Sequence, residues 1–66
     1  MSKSFEVIER VGISYDCPCD SIKEVVKEAN AEKPIAWFEV VEERGRVTED
    51  GKVEFQCVVK LGRKAD

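Results

Sequence analysis

The sequence predicts an α+β domain of order β-α-β-β, a three-stranded antiparallel sheet with one helix packed on one face. Three observations carry this expectation. Apolar residues alternate with polar ones in two stretches, Phe5 to Ile13 and Val53 to Leu61. Between them, Ile22, Val25, Val26 and Ala29 recur at i, i+3, i+4 and i+7, one stripe of a helix. Finally, Asp50-Gly51 separates two β-forming runs, the signal of a hairpin.

In the first strand Phe5, Val7, Val11 and Ile13 share one side, and Glu9 interrupts that apolar face. The stretch Tyr15 to Asp20 reads as a loop, because Pro18 disfavours a helical Cys17. Ser21 and Glu24 have the spacing of a capping box, which predicts a helix start at Ser21. Pro34 ends the helix, with residues 30–33 as its frayed exit. A helix of about three turns with so narrow a stripe must dock on the sheet to persist. The second strand is expected from Ile35 to Val47 and the third from Val53 to Leu61. With the third strand placed centrally, every neighbour is antiparallel.

A chain of 66 residues makes a single domain, residues 1–66. Chains this short bury only about 60% of the surface that their unfolded form exposes. They lean on disulfides, a metal or oligomerisation. Three cysteines, two of them one residue apart, do not make a disulfide framework, and there is no histidine. Oligomerisation is therefore the leading expectation. No apolar stretch follows the first residues as in a signal peptide, and none approaches the roughly 20 residues of a membrane helix. The expectation is a soluble, cytoplasmic protein with reduced thiols. The net charge is −3 with both signs interspersed, and this excludes a basic footprint for nucleic acid or an anionic membrane. No convincing nucleophile–base pair is present, so catalysis is not expected. Cys17 and Cys19 alone are a weak metal signal, and no metal ligand is assigned.

The stretch that asks for an explanation is Ile35 to Glu43. Phe38 and Val40 point to one side of its strand, and Trp37, Glu39, Val41 and Glu43 to the other. An indole on the face opposite the core, among carboxylates, needs a cover: a ligand, a partner chain or a second layer of the same chain. A two-residue Asp50-Gly51 turn would set Glu49 against Lys52, Gly45 against Gln56 and Trp37 against Lys64. Trp37 and Gln56 then share one face, while Phe38, Val40, Phe55, Cys57, Val59 and Leu61 share the helix face. Along the strand the two lie about 26 Å apart, at about 3.3 Å per residue. One site using both would need a strongly coiled sheet or more than one chain.

Residues Val7 to Ser14, Trp37-Phe38-Glu39-Val40, Arg44-Gly45-Arg46, Asp50-Gly51-Lys52-Val53 and Phe55-Gln56, in that order, resemble the dodecins, small flavin-binding proteins. The resemblance implies a hollow homododecamer with paired flavins near its twofold axes. By it, Trp37 stacks on the isoalloxazine, Gln56 hydrogen-bonds the ring's polar edge and Arg46 lies near the ligand. It also implies flavin storage or sequestration (FMN, riboflavin or FAD), with coenzyme A as a further ligand of some bacterial members. The chemistry agrees: indole stacks well on a flat aromatic, and a Gln amide offers a donor and an acceptor together. Two alternatives stay open: a structural or interaction oligomer of the same fold that has lost flavin binding, and a thiol or metal protein using Cys17 and Cys19.

Overall fold

The computed structural model describes residues 4–65. Its elements are β1 (Phe5–Ser14), α1 (Pro18–Glu32), β2 (Trp37–Val47) and β3 (Val53–Lys64). They form one antiparallel sheet in the order β1-β3-β2, with α1 on one face. The expected β-α-β-β architecture with a central third strand is the one observed.

The helix begins three residues earlier than its capping-box spacing suggests. Cys17 is the N-cap residue in extended conformation, and Pro18 takes the first helical position. Proline is suited to that place: its fixed φ is already helical, and the N–H it lacks would have no partner there. Ser21 is thus inside the first turn, not at its cap. Its hydroxyl donates to the Pro18 carbonyl at 2.6 Å and lies 2.9 Å from Cys57 Sγ. The other end is firmer than a frayed exit. Asn30 Oδ1 accepts the Ile35 N–H at 2.8 Å, and the Lys33 N–H closes on the Ala29 carbonyl.

The core comprises Val25, Ala29, Cys57, Val59 and Leu61, with Ile8, Ile22, Val26 and Ile35 packed around it. Odd residues of β3 and the stripe of α1 meet there, as the alternation predicts. The apolar side of β1 is elsewhere. Val7 pairs with Gly62, Val11 with Val58 and Ile13 with Gln56, so these side chains share the sheet face opposite the helix. They remain more than half exposed. Toward the helix β1 presents Ile8, Arg10 and Gly12, and Arg10 makes a two-pronged hydrogen-bonded ion pair with Glu32 (2.9 and 2.6 Å).

The hairpin departs from the two-residue turn. Gly51 alone has positive φ, at +84°, and Asp50 does not. The Thr48 N–H donates to the Lys52 carbonyl and the Gly51 N–H to the Thr48 carbonyl. That is a three-residue loop closed by a glycine bulge, the next commonest hairpin connection. It shifts the pairing by one, so Arg44, not Gly45, faces Gln56. A second irregularity at Val41, between Val40 and Glu42, shifts it again, and Trp37 faces Gly62.

At Gly12 α1 lies close against the sheet. A Cβ there would run into the Ser21 carbonyl and a methyl of Val25. Gly12→Ala should therefore push the helix outward and cost about 1–3 kcal/mol, as overpacked cores do. Urea unfolding should show a lower midpoint with an unchanged slope.

Candidate functional site

Trp37 opens β2, and its indole lies over Gly62, whose missing side chain makes the room. A Cβ on Gly62 would collide with indole carbons and with Nε1. Gly62 is buried as a result, while Trp37 keeps 42% of its surface exposed. The ring is thus backed by the strand on one side and open on the other. Beside its base, Lys33, Pro34, Ile35, Ala36 and Lys64 line a cleft of about 310 Å³.

The face it occupies is set by the two register shifts together. Before Val41, Trp37 and Glu39 pair with the even residues Gly62 and Lys60 of β3. After it, Glu42, Arg44 and Arg46 pair with the even residues Val58, Gln56 and Glu54. The open face therefore carries Trp37, Arg44, Arg46, Glu54 and Gln56. The two-residue turn had put Trp37 and Gln56 on one face, and they are on one face, but it had given Gln56 the wrong neighbours. Counted along β3 from Gly62, the separation is about 20 Å, at about 3.3 Å per residue, rather than about 26 Å. A single subunit does not bring the tryptophan and the glutamine together.

At the hairpin end, Glu54 is the hub. It is 4% exposed although it is a carboxylate on the face opposite the helix. Arg46 Nε donates to its Oε1 at 2.9 Å and Gln56 Nε2 to the same oxygen at 2.7 Å. Tyr15 Oη donates to Oε2 at 3.0 Å. The Arg46 guanidinium first, then Gln56 and Tyr15, hold the Glu54 carboxyl down at about 2. Their own hydrogen bonds to Glu54 raise the Tyr15 hydroxyl and the Arg46 guanidinium above their ordinary values. Gln56 is fixed from its other side by Arg44, whose Nε donates to Gln56 Oε1 at 3.2 Å. Pro18, Glu43, Arg44, Gly45, Phe55 and Gln56 line a second cleft of about 300 Å³.

Of the three residues singled out by sequence, Gln56 and Arg46 are brought together by Glu54, and Trp37 stands apart. Arg46 is already paired with a carboxylate, so its charge is largely answered within the subunit. Sequence reasoning missed Arg44, Glu54 and Tyr15. The signal for Glu54 was present: it lies two residues before Gln56, hence on the same strand face. Cys17 and Cys19 lie at the helix start, with Cys57 behind it in the core. The Cys17 thiol is raised above its ordinary value, chiefly by its hydrogen bond with the Cys19 thiol, so it is not an activated nucleophile.

The Glu54 hub gives a pH dependence of known sign. Its folded carboxyl titrates near 2 and its unfolded one near 4.5. Its contribution to stability is therefore complete above about pH 4.5 and is lost as pH falls toward about 2. Denaturation of wild type and Glu54→Gln across this range should show a gap at neutral pH that closes as the solution is acidified.

Comparison with known proteins places this geometry. A family model, Dodecin, matches residues 5–66. A dodecin of Thermus thermophilus carrying an arginine-to-alanine substitution is 30% identical, with TM-score 0.86, covering 98% of this chain and 97% of that one. The dodecin of Streptomyces coelicolor is 28% identical, with TM-score 0.85, covering 97% and 93%. A calcium-chelating dodecin of Mycobacterium tuberculosis, described with a novel calcium-binding site, is 22% identical with TM-score 0.88, covering 96% and 91%, and shares the fold. No curated protein matches the chain. Fold and family model agree, and the chain belongs to the dodecin family.

Proposed function

We propose that the protein binds a flavin (riboflavin, FMN or FAD) and stores or sequesters it within a homo-oligomer, a dodecamer, without catalysing a reaction. The observation that carries this reading is the indole of Trp37, backed by Gly62 and open on its other face. A flat, electron-poor ring system is the ligand such a surface accepts best. Gln56 then supplies a paired donor and acceptor to the ring edge. Arg46 contributes through the N–H groups that Glu54 leaves free. With Trp37 and Gln56 about 20 Å apart on one subunit, more than one copy must furnish them to a single flavin.

Assembly has its own support. Every residue of β2 is exposed in the isolated chain, including Trp37, Phe38, Val40 and Val41. Phe5, Val7, Val11 and Ile13 on β1 are exposed as well. So much apolar surface on so small a chain is that of a subunit. No helix among the described residues is long and apolar enough to cross a membrane. The free thiols of Cys17, Cys19 and Cys57 support a reducing, cytoplasmic setting.

One observation favours the second reading, an oligomer of this fold that has lost its flavin. The Gln56 amide is already engaged by Glu54 and Arg44. Coenzyme A is a further ligand to test, and the lysine-flanked cleft of Lys33 and Lys64 suits a phosphate-bearing molecule.

Fluorescence titration with riboflavin, FMN and FAD, run beside a solution mass measurement, decides. Flavin emission should be quenched at micromolar protein, with a mass near that of twelve 7.5 kDa chains. Stacking contributes about 1–3 kcal/mol per aromatic face, so Trp37→Ala should weaken binding at least about fivefold and leave the mass unchanged. A full-sized particle with no quenching would establish the second reading. Gly62→Ala gives an independent check. It must displace the indole without removing it, so binding should weaken while tryptophan emission shifts.

A further inference from the structure

Cys17, Cys19 and Asp20 lie outside the proposed flavin site, and their donor atoms converge. The two sulfurs and a carboxylate oxygen of Asp20 are all within 4.8 Å of one another at the start of α1. Sequence spacing does not demand this. Two helical residues at i and i+2 point about 200° apart, at 3.6 residues per turn. Cys17 escapes that rule because it is not helical: its φ of −158° and ψ of 158° are extended, so the helical rotation does not set the direction of its side chain. Its thiol therefore comes to rest beside Cys19 and Asp20. Pro18 fixes the backbone between the two cysteines. The turn is also pinned to the core, because the Pro18 carbonyl accepts from Ser21 Oγ at 2.6 Å and more weakly from Cys57 Sγ at 3.6 Å. The donors are thus mounted on a held turn rather than on a loop tip.

The donor set selects the ligand. Calcium and magnesium take oxygen shells, and two sulfurs exclude them. Thiolates with a carboxylate suit a borderline-soft divalent ion of the zinc class. A tetrahedral ion with metal–sulfur bonds of about 2.3 Å sets its thiolates about 3.8 Å apart. Contraction of about 1 Å at most brings the present arrangement to that spacing. We propose that Cys17, Cys19 and Asp20 form a surface site for a zinc-class divalent cation, with a fourth position open to water beside exposed Cys19. Each thiol releases its proton to solvent as it ligates. Cys57, fully buried against Ser21, is not a ligand.

Titration of the reduced full-length protein with cadmium, followed by its thiolate charge-transfer absorption, tests the site. Zinc competition against a chromophoric chelator gives the affinity. One ion per chain is expected, the absorption being lost in a Cys17→Ser, Cys19→Ser double variant and retained in Cys57→Ala. Alkylating the accessible thiols of the native protein, with Cys57 protected by burial, should also abolish it, which removes any dependence on how the variants fold. Asp20→Asn should keep the sulfur absorption and weaken zinc binding. The proposal is overturned by no absorption in the wild type, by absorption that survives loss of Cys17 and Cys19, or by one ion shared between two chains.

Discussion

A helix of fifteen residues spans about 22 Å, at 1.5 Å per residue, and the twelve-residue strand under it spans about 40 Å, at about 3.3 Å per residue. The rest of the structure follows from that mismatch. One helix covers one face of the sheet over roughly half its length. The hairpin of β2 and β3 projects beyond it, and the molecule measures 54 × 19 × 15 Å. Val47 at the projecting end is 70% exposed, whereas Val59 and Leu61 under the helix are wholly buried. The opposite face has no layer of its own chain. The apolar β1 face directed away from the helix is therefore left exposed. Size alone points to assembly, and this face is the apolar surface that the chain's own layers leave exposed.

Much of this is legible in the sequence, and the failures have local causes. Strand and helix types follow from periodicity, and the odd residues of β3 are in the core as their alternation requires. The face shared by Trp37 and Gln56 was reached through two compensating errors. A three-residue loop replaced the two-residue turn because Asp50 keeps negative φ and only Gly51 turns left-handed. The irregularity at Val41 then restored the parity. Nothing marks that irregularity except two adjacent valines, Val40 and Val41, where strict alternation calls for one. Its effect on the site is large. On its far side from the turn the odd residues of β2 take the open face, and Trp37 comes to the side of Arg44 and Arg46. Without the bulge, the hairpin register would set Trp37 against Arg63 and turn the indole toward the helix face.

The helix start shows the same limit. Ser21 and Glu24 have the spacing of a cap, yet Pro18 is the stronger signal, because its ring supplies the helical φ outright. Once Pro18 leads, Ser21 falls on the inner face of the first turn, and its hydroxyl is buried against Cys57. Burial without a partner would be costly, so the hydroxyl also bonds back to the Pro18 carbonyl. One residue's placement thereby links the helix start, the core cysteine and the convergence of the two outer thiols.

The hairpin end shows how a subunit can fix the chemistry of a site before any ligand arrives. An amide can be turned either way, with oxygen and nitrogen exchanged. For Gln56 the neighbours permit one choice. Ionised Glu54 only accepts, and Arg44 only donates. The amide nitrogen must therefore face Glu54 and the oxygen must face Arg44, and any other orientation opposes acceptor to acceptor and donor to donor. Each amide end keeps one unused position, an N–H on one side and a lone pair on the other. Under the flavin reading, these two positions in this order are what the subunit offers to the edge of the ring. The depression of the Glu54 carboxyl, driven first by Arg46, keeps that order set throughout the neutral range. Arg46 thus acts on the site through Glu54, by keeping the carboxylate charged, as well as through any N–H it presents directly.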